Sequence, residues 1–533
     1  MHASPSSTQL LIKELSQPTA SSYTRQLVFM KRPPPSASAE PHPQALPPTP
    51  TRPRWSFDVA KTMLAELKSQ RGIALPLAGM NLTWFAKITV TTAFLGRLGE
   101  LELAAGTIGF TFANVTGFSV LTGLSAAMEP LCGQAHGARN RALLRKTLLM
   151  TTTLLLAASI PIALLWLNVD RLLLRFGQQR DIARLAKRYV QHLLPDLAVT
   201  SFLCPLKAYL SSQGITLPTL FSSAAALAVH VPLNLLFSRA KGIEGVAMVI
   251  WLTDLAVAIM LASYVGITEW GKGDGSAEAK GCGSGEAKQG PRWWEQSAAE
   301  WGTLLRIAAP CCLTTCLEWW CYEILVLLTG RLPDPRQMLS VIAVVLNFDY
   351  LLYSAMLSLA TCASTRVSNE LGAGRPGNAR SAAYVSIGVS VFAGLCGGAA
   401  MAGARGGWGR LFSREKGIVE GAKKMMLVMA AVEVMNFPVA TCGGVVRGTA
   451  RPCLAMYASL GGFYLVALPS AVAMGFAMRL GLCGLLLGFL VGAMVTAGLL
   501  VFFVYRIDWN EEANKAEHLT GKTPDEMNEN ISA

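Results

Sequence analysis

The chain contains about twelve separate runs of mostly apolar residues, each long enough to cross a lipid bilayer. A membrane-spanning helix needs about 20 such residues. The predicted spans are residues 72–95, 103–127, 143–166, 187–210, 216–238, 245–268, 302–328, 338–361, 380–403, 424–446, 454–476 and 481–505. Only 15% of the 533 residues are charged, against about 25% in soluble proteins. The runs therefore predict an all-α, multi-pass protein embedded in a lipid bilayer.

Two related blocks, roughly 235 residues apart, indicate that the chain is internally duplicated. They cover residues 129–139 and 366–375, and each follows an apolar run, contains a turn of small residues and then becomes basic. Six spans precede residue 270 and six follow residue 300. Because six is even, both copies enter the membrane in the same orientation, related by an axis along the membrane normal. This predicts two pseudo-symmetric six-helix lobes that face each other across a cleft.

Polar segments outside the spans set the predicted domain boundaries. Residues 1–60 are rich in Ser and Pro and predict a disordered tail, although an acid-poor, Ser-rich leader also fits an organelle transit peptide. The predicted N-lobe covers 61–270 and the C-lobe 299–506, joined by a flexible Gly/Ser-rich linker over 271–298. Residues 507–533 are predicted to form a polar C-terminal tail.

The formal charge of +13 is spread over loops and tails. No Lys/Arg run with interleaved aromatic residues indicates a nucleic-acid partner. About nine basic residues precede the first span, which favours a cytoplasmic N-terminus, and an even number of spans places the C-terminus on the same side. The sequence leaves the plasma membrane and the endomembranes (vacuole, Golgi, endosome) open as locations.

Four motifs in the predicted spans and their flanks point to a family. They are Leu98-Gly-Glu-Leu-Glu-Leu-Ala104, Cys132-Gly-Gln-Ala-His-Gly-Ala138, Cys316-Leu-Glu-Trp-Trp-Cys-Tyr-Glu323 and Arg366-Val-Ser-Asn-Glu-Leu-Gly-Ala-Gly374. Together, over about residues 60–512, they resemble the plant MATE transporters of the DETOXIFICATION family. The resemblance implies the MATE fold, a V-shaped pair of six-helix lobes, and efflux by antiport, which is mostly proton-coupled in plant members.

Acidic residues inside the C-lobe spans are the candidate proton-coupling groups. A charge at mid-bilayer costs about 2.5–3.5 kcal/mol on insertion scales, so each one needs a reason. Glu318 lies near the middle of the seventh span and matches the glutamate that the resemblance implies is a protonation site; a structural carboxylate is the alternative. Glu323 lies about 140° further round the helix, so it either pairs structurally or lines another surface.

The tenth span departs from the family pattern. The resemblance implies an acid at the position that Asn436 occupies, and asparagine does not titrate. Glu433 lies three residues earlier on the same helix face. We expect either that Glu433 takes the acidic role while Asn436 supplies a hydrogen bond, or that this helix holds no proton site. Asp349 and Glu129 are further acids in or next to spans, without an assigned role.

The candidate residues of the substrate cleft are mainly polar. Lys87 stands in the first span where many microbial relatives of the family carry an acid, and we expect it to pair with Asp196 or Asp254 or to attract an anionic substrate. Asn114 and Asn347 either line the cleft or form interhelical hydrogen bonds. The set of cleft candidates is Lys87, Asn114, Asp196, Asn347, Asn436, Trp319 and Trp320.

Nothing in the sequence indicates an enzyme. It has no P-loop, HExxH or GxSxG motif, and we expect no cofactor and no metal. The first functional hypothesis is a monomeric, proton-coupled antiporter that exports an organic solute, such as a hormone-like or phenolic secondary metabolite. The alternatives are a transporter-like sensor or scaffold at a membrane, and efflux coupled to sodium.

Overall fold

The computed structural model describes residues 55–270 and 296–521, and these are helical apart from short connections. No strand occurs in this part of the chain. The helices are α1 Trp55–Leu98, α2 Glu100–Gly137, α3 Arg141–Leu167, α4 Val169–Arg175, α5 Arg180–Leu193, α6 Pro195–Ser212, α7 Leu217–Lys241, α8 Ile243–Trp270, α9 Ala298–Thr329, α10 Pro335–Gly372, α11 Pro376–Phe412, α12 Lys416–Gly448, α13 Pro452–Ala477, α14 Gly481–Tyr505 and α15 Trp509–Thr520.

The predicted twelve-span architecture is confirmed, with one span broken in the middle. Eleven helices are long and apolar enough to cross a membrane, and α5 with α6 forms a twelfth span that is bent by 47°. The bend falls where Pro195 begins α6, because proline has no backbone N–H to continue the hydrogen bonds of α5. Six spans lie in the described residues up to 270, the N-terminal half, and six lie after residue 295, the C-terminal half.

The boundary of the N-terminal tail differs from the prediction. Helix α1 begins at Trp55, inside the stretch predicted as disordered over 1–60. Pro53 is the last proline of the tail, so nothing after it prevents a helix from forming. Helix α9 begins after a capping box formed by Ser297 and Glu300. The remaining predictions for residues 1–54, most of the linker (271–295) and 522–533 lie outside the described residues.

Within the segment predicted as a polar C-terminal tail, residues 509–520 form the helix α15. Trp509, Ala513 and Ala516 are buried on one face of this helix, at the spacing of three to four residues that an amphipathic helix requires. The Asn140 side chain, in the N-terminal half, donates to the Thr520 carbonyl at 3.0 Å. Glu512 pairs with Arg451 of the C-terminal half. Helix α15 therefore contacts both halves.

The two related sequence blocks pack against each other, at the C-terminal ends of α2 and α10. A Cβ atom added at Gly137 would overlap the carbonyl oxygen of Asn369, and one added at Gly372 would overlap the carbonyl oxygen of Gln134. The relation is reciprocal, as expected for two copies that meet about a pseudo-symmetry axis. Small residues thus allow the two helices to approach backbone to backbone.

Ion pairs formed by two arginines join the halves beside this contact. Arg366 donates from Nε and Nη2 to the two carboxylate oxygens of Glu66 at 2.9 and 2.7 Å. Arg447 donates from Nε to Glu129 Oε2 at 2.7 Å. We call this contact region the seam; it comprises Glu66, Glu129, Gln134, Gly137, Arg366, Asn369, Gly372 and Arg447.

The seam lies on the side of the membrane that carries the chain termini. Helices α2, α10 and α12 are the second, eighth and tenth spans, so their C-terminal ends return to that side. Contacts between the halves continue to mid-depth, where Phe85 stacks on Tyr350 and Trp320 Nε1 donates to the Val115 carbonyl at 3.0 Å. In the described residues, no cross-half hydrogen bond or ion pair lies nearer the opposite side. The halves are therefore joined on the terminus side.

Candidate functional site

Glu318 occupies a polar position in the middle of α9, facing the other helices of the C-terminal half. Ser459 Oγ of α13 donates to Glu318 Oε1 at 3.1 Å. Arg447 and Tyr353 are close enough to the Glu318 carboxylate to interact with it electrostatically. Cys321 and Leu325, three and seven residues after Glu318, lie on the same face of α9 and are buried, so this face packs into the C-terminal half.

The two tryptophans that follow Glu318 form hydrogen bonds in different directions. Trp319 Nε1 donates to the Tyr353 hydroxyl of α10 at 2.9 Å, within the C-terminal half. Trp320 Nε1 donates across the halves to Val115, which lies in a π-helical turn of α2 over Asn114–Phe118. A π turn widens the backbone spacing and leaves a carbonyl available. The Trp320 indole therefore lies at the mid-depth end of the interface between the halves.

A pair of carboxyl groups lies deeper in the C-terminal half. Asp349 of α10 and Glu433 of α12 are both buried, and their carboxyl groups are within hydrogen-bonding reach of each other. Two carboxyl groups form a hydrogen bond only when one of them holds a proton, because two adjacent carboxylates repel each other. No cation pairs with either acid among the described residues. Two carboxyl groups placed in this way can share one proton.

Asn436 completes this second cluster. Its side-chain nitrogen donates to Glu433 Oε1 and to the Tyr322 hydroxyl, both at 2.8 Å. Asn436 thus supplies a hydrogen bond, as expected, and one of its acceptors is Glu433; the acidic role of Glu433 stays a prediction. Asn436 stands at the position where the family resemblance implies an acid, and its side-chain amide contacts the carboxyl group of Glu433.

Glu323 joins neither cluster. It is partly buried in α9, and its electrostatic neighbour is Tyr350. This agrees with the expected rotation of about 140° away from Glu318. Its role in proton coupling stays a prediction.

The N-terminal half contains a separate buried cluster of charged residues. Lys87 Nζ of α1 forms an ion pair with Asp254 Oδ1 of α8 at 2.8 Å, which confirms the predicted pairing and selects Asp254 as the partner. Asp196 of α6 is 2% exposed and interacts electrostatically with Lys87, Asp254 and Lys207. Asp196 Oδ1 has no hydrogen-bond donor among the described residues.

His230 of α7 connects to this cluster through hydroxyl groups. One ring nitrogen lies 3.0 Å from the hydroxyl of Thr91, and the other lies 3.2 Å from the hydroxyl of Thr253. Sequence reasoning passed over His230 and Lys207, although both are ionisable residues within predicted spans, which was the available signal. It considered Asp349 without giving it a role, because its partner Glu433 is distant in sequence.

The two candidate asparagines differ in their surroundings. Asn347 is exposed and donates to the Ala343 carbonyl of its own helix at 2.8 Å, so the alternative of an interhelical hydrogen bond is wrong for this residue. Asn114 opens the π turn of α2, and its Oδ1 is buried without a donor in the described residues. Both stay candidates for the cleft.

The chemistry available to these clusters is reversible protonation. Carboxyl groups occupy sites in both halves, and the described residues contain no group of three or more His, Cys, Asp or Glu side chains arranged to hold a metal ion.

A family model agrees with the internal duplication. The model described as MatE matches the chain twice, over residues 76–236 and 310–473, so the two matches begin 234 residues apart. Each match lies in one of the two halves.

Similar proteins cover nearly the whole described chain. Protein DETOXIFICATION 56 of Arabidopsis thaliana is 54% identical over 473 residues, which cover 89% of this chain and 94% of the relative. Protein DETOXIFICATION 48 of the same plant is 38% identical, covering 86% of this chain and 84% of the relative.

Solved structures show the same fold. The crystal structure of the eukaryotic MATE transporter AtDTX14 superposes with a TM-score of 0.77 and 32% sequence identity, over 86% of this chain and 100% of the other. An outward-facing multidrug resistance MATE transporter gives a TM-score of 0.72 at 14% identity, over 86% and 97% of the two chains, and shows the fold alone. The chain therefore belongs to the MATE family of multidrug and toxic compound extrusion transporters.

Proposed function

We propose that this MATE transporter is a proton-coupled antiporter that exports an organic solute. The observation that carries the proposal is the buried Asp349–Glu433 carboxyl pair, which must hold a proton to be stable. Glu318 is a third acid in the same half, and its carboxylate accepts a hydrogen bond from the Ser459 hydroxyl. Neither Asp349 nor Glu433 has a cationic partner in the described residues, so structural ion pairing does not account for them.

Transport follows from two arrangements of the halves. With the termini in the cytoplasm, the closed seam corresponds to a cleft that faces away from the cytoplasm. Protons that enter from that side bind the acids of the C-terminal half and weaken solute binding. Coupling requires only that protons and solute prefer different states of the same equilibrium. Opening of the seam then exposes the acids to the cytoplasm, where the protons leave.

The solute class follows from the groups that line the interface. Indoles from Trp319 and Trp320 offer flat apolar surfaces with polar edges, which suits aromatic or partly apolar organic compounds. The names of the DETOXIFICATION relatives support efflux of small foreign or secondary compounds. Because Asp254 neutralises Lys87, preference for an anion requires that a solute displace this aspartate. The protein acts as a monomer in the plasma membrane or an endomembrane.

The proposal is tested in liposomes with an imposed pH gradient and a panel of radiolabelled organic compounds. We expect solute-dependent proton flux in the wild type and its loss, by tenfold or more, in Glu318→Gln and in Glu433→Gln. Glu420→Gln is the matched control, because Glu420 is an exposed acid whose partner is the exposed Lys423. Choline replaces sodium in a parallel experiment.

Three results would contradict the proposal. The first is wild-type transport that continues without a pH gradient but stops in choline, which indicates sodium coupling. The second is full pH-driven transport by Glu318→Gln and Glu433→Gln. The third is the absence of flux of any compound in the wild type.

A further inference from the structure

Arg447 of α12 lies between two carboxylates that belong to different halves. On one side its Nε donates to Glu129 Oε2 of α2 at 2.7 Å, across the seam. On the other side it interacts electrostatically with Glu318 of α9, in its own half. Glu129 also accepts a hydrogen bond from Thr361 of α10 at 3.3 Å, which holds its carboxylate in place.

Few other ionisable groups face these three residues. Around Glu318 they are Tyr353 of α10 and Cys321 on the next turn of α9. Around Arg447 and Glu129, the further ionisable neighbour within the described residues is Cys311 of α9. These hydroxyl and thiol groups are neutral at physiological pH. The charges that decide the local balance are therefore those of Glu129, Arg447 and Glu318.

We propose that Arg447 is a positioning residue that ties proton release from Glu318 to opening of the seam. While the seam is closed, Glu129 neutralises Arg447, so Glu318 meets little net positive charge and accepts a proton readily. When the seam opens, Glu129 moves away with the N-terminal half and Arg447 stays with Glu318. The uncompensated guanidinium then favours the ionised form of Glu318, which gives up its proton.

The direction of this effect matches the direction of an antiport cycle. Glu318 holds its proton more readily when the cleft faces away from the termini and less readily when the seam is open. The inference rests on the proposed function for its physiological meaning. The electrostatic link itself can be measured without transport, because it concerns only the protonation of one carboxyl group.

Protonation of Glu318 is followed on the full chain in nanodiscs by infrared difference spectroscopy. The carbonyl stretch of the protonated side chain is identified by its loss in Glu318→Gln. In Glu129→Gln, Arg447 loses its counter-charge, and we expect the Glu318 titration midpoint to fall by about one pH unit. In Arg447→Gln the cation is gone and we expect the midpoint to rise by a similar amount. Arg447→Lys keeps the charge and should restore the wild-type midpoint.

The matched control is Glu370→Gln. Glu370 is a buried acid close to the seam, but it pairs with Arg366 and Arg375 and leaves Glu129 and Arg447 in place. We expect Glu370→Gln to leave the titration midpoint of Glu318 unchanged. In the Arg447→Gln background, Glu129→Gln should no longer lower the titration midpoint of Glu318. This double-mutant cycle isolates the part of the Glu129 effect that depends on Arg447.

The inference is overturned if Glu129→Gln and Arg447→Gln move the midpoint in the same direction, or if Glu129→Gln moves it no more than Glu370→Gln. It is also overturned if Glu129→Gln has the same effect with and without Arg447. Absence of proton-coupled flux in the wild type would instead refute the proposed function. The titration of Glu318 would still decide whether Arg447 links this residue to the seam.

Discussion

Trp320 of the C-terminal half donates its indole hydrogen to the backbone carbonyl of Val115 in the N-terminal half. The acceptor lies in a π turn, and the donor follows Glu318 by two positions in α9. This hydrogen bond marks the mid-depth end of the contact between the halves. It places an aromatic side chain where the halves separate, beside an acid proposed to carry protons.

Loss of this hydrogen bond should loosen the closed arrangement. Trp320→Phe keeps an aromatic ring but removes the donor, and a hydrogen bond contributes about 1 kcal/mol. We expect about a fivefold shift of the population toward an open seam, measured by pulsed EPR between spin labels at the exposed positions Ala142 and Gly377. Trp319→Phe is the control, since Trp319 bonds within its own half. Equal distance distributions for both variants would contradict the assignment.

A methyl group at the seam should prevent its closure. In Gly137→Ala or Gly372→Ala, the added Cβ overlaps a backbone carbonyl of the opposite helix. Overpacking costs about 1–3 kcal/mol, so we expect the same EPR distance to lengthen and transport to fall. Gly388→Ala in α11 serves as the control, because its added Cβ meets nothing within 4 Å. A closed seam in Gly137→Ala would refute the expectation.

Removal of Lys87 alone should destabilise the N-terminal half. Lys87→Met leaves Asp254 without its 2.8 Å partner, and one unpaired buried charge costs about 3–5 kcal/mol. We expect a Tm lower by several degrees in detergent, and recovery in the double variant Lys87→Met/Asp254→Leu. Lys423→Met, which breaks an exposed pair with Glu420, should change Tm little. Failure of the double variant to recover would show that the two side chains do not act as a pair.

Helix α15 should stabilise the closed seam, because it contacts Asn140 of one half and Arg451 of the other. A chain that ends after Arg506 loses α15 together with the Arg451–Glu512 ion pair. We expect it to have a lower Tm and a wider distribution of seam distances. A chain that ends after Gly521 keeps α15 and should behave as the full chain. Indistinguishable behaviour of the two truncations would exclude this contribution.

The spans and the duplication could be predicted because each depends on local sequence. Membrane crossing needs only a run of apolar residues. Among the described residues, one predicted span, 187–210, is broken, and the break lies at Pro195. The pairing of Lys87 could be expected because a buried lysine demands a carboxylate. The choice between Asp196 and Asp254 could not, since it depends on how α1, α6 and α8 pack.

The seam and α15 depend on distant contacts, and the sequence carried little sign of them. Glu66 and Arg366 are 300 residues apart, and each lies near the end of its own span, where charges are common. Helix α15 escaped prediction because Trp509 is the one large apolar side chain among its buried residues. The Asp349–Glu433 pair was not predicted because the two acids are distant in sequence. In the sequence, each one is an isolated charge within a predicted span.

The backbone contact between the paired blocks bears on how natural variation in this chain should be interpreted. A change from glycine to alanine adds one methyl group and would rank among the mildest of replacements by chemical similarity. At Gly137 and Gly372 that methyl group meets the carbonyl oxygen of the other half. Alleles with such changes should therefore be grouped with loss-of-function alleles. Bulkier replacements on the exposed faces of the same helices should instead be functionally neutral.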